Sequence, residues 1–346
     1  MTNDKCQMTN EGIIKLLDKL KDEVNLFAPQ TNEYGDTSLA QVKDACNVQL
    51  KHFKPVMPAV REVLFGQVKK MLRYQKSAGK TTVATLDDFS ETVIFGLPTC
   101  DLEGILYNDV FYGQREFPDF YYNRAREKLT LITIACVTPP NKNCFCASMG
   151  HGPFATKGFD LQLTDLGNGR FMVEVGSSKG EKIVSLSPGL FEPVGQNEIA
   201  AWEKIKQGAE RLPRKDFIKK DQALETMGRE PLNEELLKDI SNRCISCGAC
   251  NYTCPTCACF NVVDLENQGG VVRQRLLDSC IFSGYWRMAG GHTPKPEKIQ
   301  RTRNRYFCKL VWDKEKFGDS GCVGCGRCLD SCPVDIDIKE VIRSLA

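Results

Sequence analysis

Cysteine dominates the chemistry open to this chain of 346 residues, which holds 18 cysteines and only 3 histidines. In CISCGACNYTCP, Cys244, Cys247, Cys250 and Cys254 precede Pro255; in CVGCGRCLDSCP, Cys322, Cys325, Cys328 and Cys332 precede Pro333. Two residues between successive thiols let one tight loop wrap three corners of an iron–sulfur cubane, with backbone N–H groups aimed at the sulfides. Gly248, Gly324 and Gly326 suit the unusual backbone angles of such a loop. CxxC pairs also bind tetrahedral zinc, but a triple CxxCxxC closed by xxxCP, occurring twice, has the spacing of a cluster.

In two-cluster ferredoxins the fourth cysteine of each run ligates the other cluster. That rule assigns one 4Fe-4S cluster to Cys244, Cys247, Cys250 and Cys332, and a second to Cys322, Cys325, Cys328 and Cys254. A looser set lies upstream. Cys100 ends LPTC after one apolar β-rich run, Cys136 follows another, and Cys144 and Cys146 stand in the loop TPPNKNCFC. A right-handed crossover would make the two strands parallel and place Cys100 and Cys136 at one sheet edge. These four thiolates suit a third 4Fe-4S cluster or a zinc ion, against the alternative of small buried core residues. Cys257, Cys259, Cys280 and Cys308 could form a further site but are read as shields of the first cluster or core filler. His52, His151 and His292 have no ligand spacing.

The positioning elements read as follows. Residues 11–27 and 58–76 carry apolar residues at helical spacing and predict two helices, the first closed by Pro29. TVIFGL and LTLITIA predict strands with a helical crossover between them, and the alternation around Asn168-Gly169 predicts a hairpin. The expected organisation is α+β: an N-terminal α/β domain over 1–190 with a partly parallel sheet, a solvated helical linker over 191–232 broken at Pro213, and an α-helical ferredoxin domain over 233–346. The insert between the runs, 255–321, shows helix-compatible sequence and no strand alternation. The basic stretch KPEKIQRTRNRY predicts a solvated helix face.

A formal net charge of +2 gives no overall reason to bind nucleic acid. No apolar run of about 18 residues predicts a membrane span, and the start lacks signal-peptide order, so a cytoplasmic location with reduced thiols is expected. No GxGxxG after a strand, Walker loop, GxSxG or HExxH is present, so no catalytic residue is assigned.

CISCGACNYTCPTCACF, the DSC at 278–280, AGGH at 289–292 and CVGCGRCLDSCP resemble the iron–sulfur subunits of anaerobic sulfite reductase and of cytoplasmic sulfhydrogenase, in the latter the β subunit. LPTCDLEGI and CFCASMGHGPFATKGFDL resemble the upstream block of that family. The long insert between the runs resembles the helical ferredoxin module of heterodisulfide reductase and succinate dehydrogenase iron–sulfur subunits. Leu277 and Cys308 stand where the family pattern has Trp and His. The resemblance implies an electron-transfer subunit between a flavoprotein NAD(P)H-oxidoreductase subunit and a terminal reductase, hydrogenase or heterodisulfide-reductase-type subunit. The alternatives are a metal-dependent enzyme using the N-terminal cysteines and an iron–sulfur redox sensor.

Overall fold

Val93 and Phe95 join one apolar cluster while Ile94 and Leu97 join another, so the strand carrying them is buried on both faces. That is why TVIFGL reads as a continuous apolar run. The computed structural model describes residues 5–77, 79–86, 89–212, 218, 220–229, 233–267 and 270–344. Its strands are β1 (Lys5–Thr9), β2 (Asn25–Thr31), β3 (Thr37–Gln41), β4 (Val68–Ser77), β5 (Lys80–Thr85), β6 (Thr92–Pro98), β7 (Leu129–Ile134), β8 (Leu161–Gly167), β9 (Arg170–Val175), β10 (Glu192–Pro193), β11 (Phe260–Asn267) and β12 (Gly270–Leu277).

Eight of them form one sheet in the order β10-β1-β9-β8-β7-β6-β2-β3, with β2, β6, β7 and β8 mutually parallel at its centre. The helices α1 (Asn10–Glu23), α2 (Thr99–Asn108), α3 (Phe120–Glu127), α4 (Ser178–Leu186) and α5 (Gln196–Arg211) follow or cover this sheet. Thr9 caps α1 by accepting from Gly12 N at 3.1 Å, and Ile13, Leu16 and Leu17 pack on the sheet. Helix α5 is no solvated linker: Trp202 is buried and donates Nε1–H to Thr164 Oγ1 at 3.2 Å. Pro213 lies outside the described residues.

The remaining helices are α6 (Lys220–Arg229), α7 (Glu234–Arg243), α8 (Ala249–Tyr252), α9 (Lys298–Phe307), α10 (Asp313–Phe317), α11 (Arg327–Asp330) and α12 (Ile338–Arg343). Two expectations are corrected. The second predicted helix is a π-helical turn at Val60–Leu64 followed, after Gly66, by strand β4. The insert between the cysteine runs contains the hairpin β11–β12. Both corrections have one cause, a second sheet in the order β11-β12-β4-β5 that pairs a hairpin from each half of the chain. Its inner side carries Arg275, 2% exposed, whose guanidinium stacks on Phe65 at 3.8 Å and reaches Asp119 at 2.7 Å. Among the described residues no helix is long and apolar enough to cross a membrane.

Candidate metal centres

The two cysteine runs fold alike. Ser246 (φ 57°) and Gly324 (φ 67°) take the same left-handed position, and Gly248 (φ 75°) and Gly326 (φ 76°) take the next, opening α8 and α11. Cys250 and Cys328 ride on those short helices, and Cys254 and Cys332 follow them. N–H groups point at sulfur, from Ser246 to Cys244 Sγ at 3.4 Å and from Ile336 to Cys332 Sγ at 3.3 Å.

Each run sends its last cysteine to the other. Cys244, Cys247, Cys250 and Cys332 line one cavity; Cys254, Cys322, Cys325 and Cys328 line a second. The chain just past Cys254 is tied to the start of the second run, because Thr256 Oγ1–H donates to Gly321 O. Asn108 Nδ2 on α2 donates to Pro255 O at 2.9 Å.

Parallel pairing of β6 and β7 brings Cys100, in the first turn of α2, and Cys136, just past β7, to the same end of the first sheet. With Cys144 and Cys146 they line a third cavity, whose wall also includes Gly324 and Cys325. The loop carrying Cys144 and Cys146 lies directly on the second run: Phe145 N donates to Gly324 O at 2.8 Å. A Cβ on Gly324 would sit 2.6 Å from Cys146 Cα and 2.7 Å from its N, and one on Gly326 would strike Asn143 O. Left-handed geometry and backbone contact both demand glycine at 324. Gly324→Ala is therefore expected to cost about 2–4 kcal/mol of stability. Anaerobic denaturation should record it, and a loss below about 0.5 kcal/mol, the size of an inconsequential surface change, would contradict this packing.

Several residues that sequence reading passed over bind these sites together. Lys54 Nζ lies 2.9 Å from Asp330 Oδ2, 2.9 Å from Cys325 O and 3.5 Å from Cys144 Sγ. Arg327, between two cysteines of the second run, forms a buried ion pair with Asp101 at 2.7 Å, donates Nε–H to Pro55 O at 2.7 Å and approaches Cys100 Sγ at 3.7 Å. Its position inside CVGCGRC was the available signal; nothing marked Lys54. His52 is on the third cavity's wall, where burial lowers its imidazole to about 4 and keeps it neutral. The basic stretch is corrected as well, because Arg301 and Arg305 of α9 are buried and Lys298 Nζ donates to Cys244 O at 3.0 Å.

These surroundings fit anionic clusters. Burial pushes the Cys322 thiol up to about 12 and raises Cys100 and Cys328, so these three thiols are neutral until metal displaces their protons. Among the described residues, no group of three or more His, Cys, Asp or Glu side chains is placed to hold a single metal ion. Thiols spread around a cavity suit a cubane, each iron taking one thiolate, better than one tetrahedral zinc. Among the described residues, His52 Nε2 and Arg327 Nη2 are buried without a hydrogen-bond partner, leaving them able to donate to sulfur.

Residues 243–336 match a family model described as a 4Fe-4S dicluster domain. Over 337 residues, 97% of this chain and 96% of the other, the sequence is 28% identical to the sulfhydrogenase 2 subunit beta of Pyrococcus furiosus. Residues 243–336 thus form a 4Fe-4S dicluster domain in a chain that is similar along nearly its whole length to a sulfhydrogenase beta subunit. A shorter similarity, 24% identical over 177 residues, covers 50% of the chain and 38% of the F420-dependent formate dehydrogenase subunit beta of Methanocaldococcus jannaschii. The dicluster chain is an iron–sulfur electron-transfer subunit, in keeping with the thiols that wall these cavities.

Proposed function

We propose that this chain works in the cytoplasm, relaying electrons between a flavoprotein that handles NAD(P)H and a terminal hydrogenase, reductase or heterodisulfide-reductase-type subunit. Three 4Fe-4S clusters carry the relay. The first is held by Cys244, Cys247, Cys250 and Cys332, the second by Cys322, Cys325, Cys328 and Cys254, and the third by Cys100, Cys136, Cys144 and Cys146. The observation that carries the reading is the shared walls of the cavities. Arg305 borders both the first and the second, and Gly324 and Cys325 border both the second and the third.

When bound, a cubane supplies a one-electron carrier whose charge is spread over metal and sulfide. The chain's own residues set the conditions. Arg305, Arg327 and Lys54 place positive charge in the interior beside the cysteines, which offsets the cost of burying anionic thiolate ligands. Cys247 and Ile245 are exposed beside the first cavity, Ile245 to 61%, and mark the face where a partner docks. The relatives support oxidoreductase partners, one being named as a hydrogenase subunit and the other as a formate dehydrogenase subunit.

Anaerobic purification from the native host should bring down a flavoprotein and a terminal oxidoreductase subunit. NAD(P)H should bleach the cluster absorbance only while the flavoprotein is present. A monomer that oxidises NAD(P)H and reduces a substrate with no flavoprotein added would overturn the reading.

A further inference from the structure

The hairpin β11–β12 brings together cysteines that lie far apart in sequence. Phe260 opens β11 and faces Leu277 at the end of β12, so Cys259 and Cys280 flank the same end of the hairpin. Asp278 N donates to Cys259 O at 3.1 Å, which ties the chain after β12 to the residue before β11. Cys257 stands two residues upstream. Cys308 begins the π-helical turn Cys308–Trp312 that continues α9, a conformation frequent at functional sites. All four cysteines line one cavity of about 270 Å³, against about 20 to 40 Å³ for the three cavities described above.

Four cysteines on one wall match the number of thiolates that a cubane takes. The wall also has the chemistry of a thiolate site. Asn251 Nδ2 donates to Cys280 Sγ at 3.3 Å, and the buried cations Arg305 and Lys309 and the Tyr285 ring line the same space. Arg305 and Lys309 border the second cavity too, so the two spaces adjoin across these side chains.

We propose that Cys257, Cys259, Cys280 and Cys308 hold a fourth iron–sulfur cluster, adjoining the second across Arg305 and Lys309. It is a cubane, because four thiols line the one cavity and a cubane takes one thiolate per iron. The site gives the relay a branch, with Trp312, 37% exposed, and Tyr285 at its mouth.

The test compares iron and acid-labile sulfide per chain, with EPR, in anaerobically reconstituted wild-type protein and in three variants. The double variant Cys259→Ala/Cys280→Ala should lose about four irons and four sulfides while keeping both ferredoxin EPR signals. Cys308→Ala removes one ligand at a partly exposed position and should either lose the same four irons or show the oxidised-state EPR signal of a three-iron cluster, absent from wild type. Should the double variant fail to fold, Cys308→Ala decides alone. Cys100→Ser, which removes the third cluster, should lose its own four irons independently, so failure of that cluster is distinguishable from failure of this one. Iron content and EPR unchanged in the Cys259/Cys280 and Cys308 variants would overturn the proposal. So would zinc bound by these cysteines, or a Cys259–Cys280 disulfide in the wild-type protein by non-reducing mass spectrometry.

Discussion

Cys254→Ser is expected to disturb the same EPR signal as Cys325→Ser, and to leave largely intact the signal disturbed by Cys247→Ser and Cys332→Ser. Cys254 is close in sequence to Cys250 but lines the cavity of Cys322, Cys325 and Cys328, while Cys332 lines the other. The chain beyond Cys254 cannot turn back to its own run. Pro255 fixes its backbone direction, Asn108 holds the Pro255 carbonyl, and Thr256 donates to Gly321 immediately before the second run. With the ligands proposed above, a serine at 254 removes one thiolate from the second cluster, with loss of that cluster or conversion to a three-iron form. A Cys254→Ser spectrum that matched that of Cys247→Ser would mean that each run closes on its own cluster.

Asp101→Ala should lower stability by about 3–5 kcal/mol, because it strands the Arg327 guanidinium. Asp101 is 0% and Arg327 2% exposed at the side chain, and the 2.7 Å ion pair is reinforced by Arg327 Nε–H donating to Pro55 O. Asp101 Oδ2 also accepts from Ala59 N at 3.3 Å, a bond the alanine cannot replace. Anaerobic chemical denaturation with a cluster-independent probe such as far-UV circular dichroism would measure the loss. Adding Arg327→Met should recover part of it, since removing both charges abolishes the unpaired one. A single-variant loss below about 1 kcal/mol, the scale of an exposed ion pair, would show that the pair is not desolvated.

The parallel core of the first sheet was legible because β6 and β7 are short, β-branched and bounded by a crossover, and strands buried on both faces announce themselves as apolar runs. The ferredoxin runs were legible because their spacing is dictated by the cluster rather than by the fold. The second sheet was not. In β4, Val68, Met71 and Leu72 continue a helical rhythm begun at Val60, and only the partner strands override it. In β12, Arg275 points inward onto Phe65, so a charged residue occupies a position where alternation expects an apolar one. The buried cations were read as solvent-facing for the same reason. A sequence records charge, but whether a charge is buried depends on what the tertiary fold places against it.

The shared second sheet also bears on whether either half of the chain can stand alone. Its four strands come from residues 68–85 and 260–277, and β12 is hydrogen-bonded along one side to β11 and along the other to β4. A gene fragment encoding only the cysteine-rich half would leave the β4-facing side of β12 as a bare strand edge, prone to pairing with other chains. It would also remove the Lys54 and Asp101 contacts that hold the second run. In this chain the cysteine-rich half therefore relies on a hairpin some two hundred residues away to close its sheet, so the two halves are expected to be stable only together.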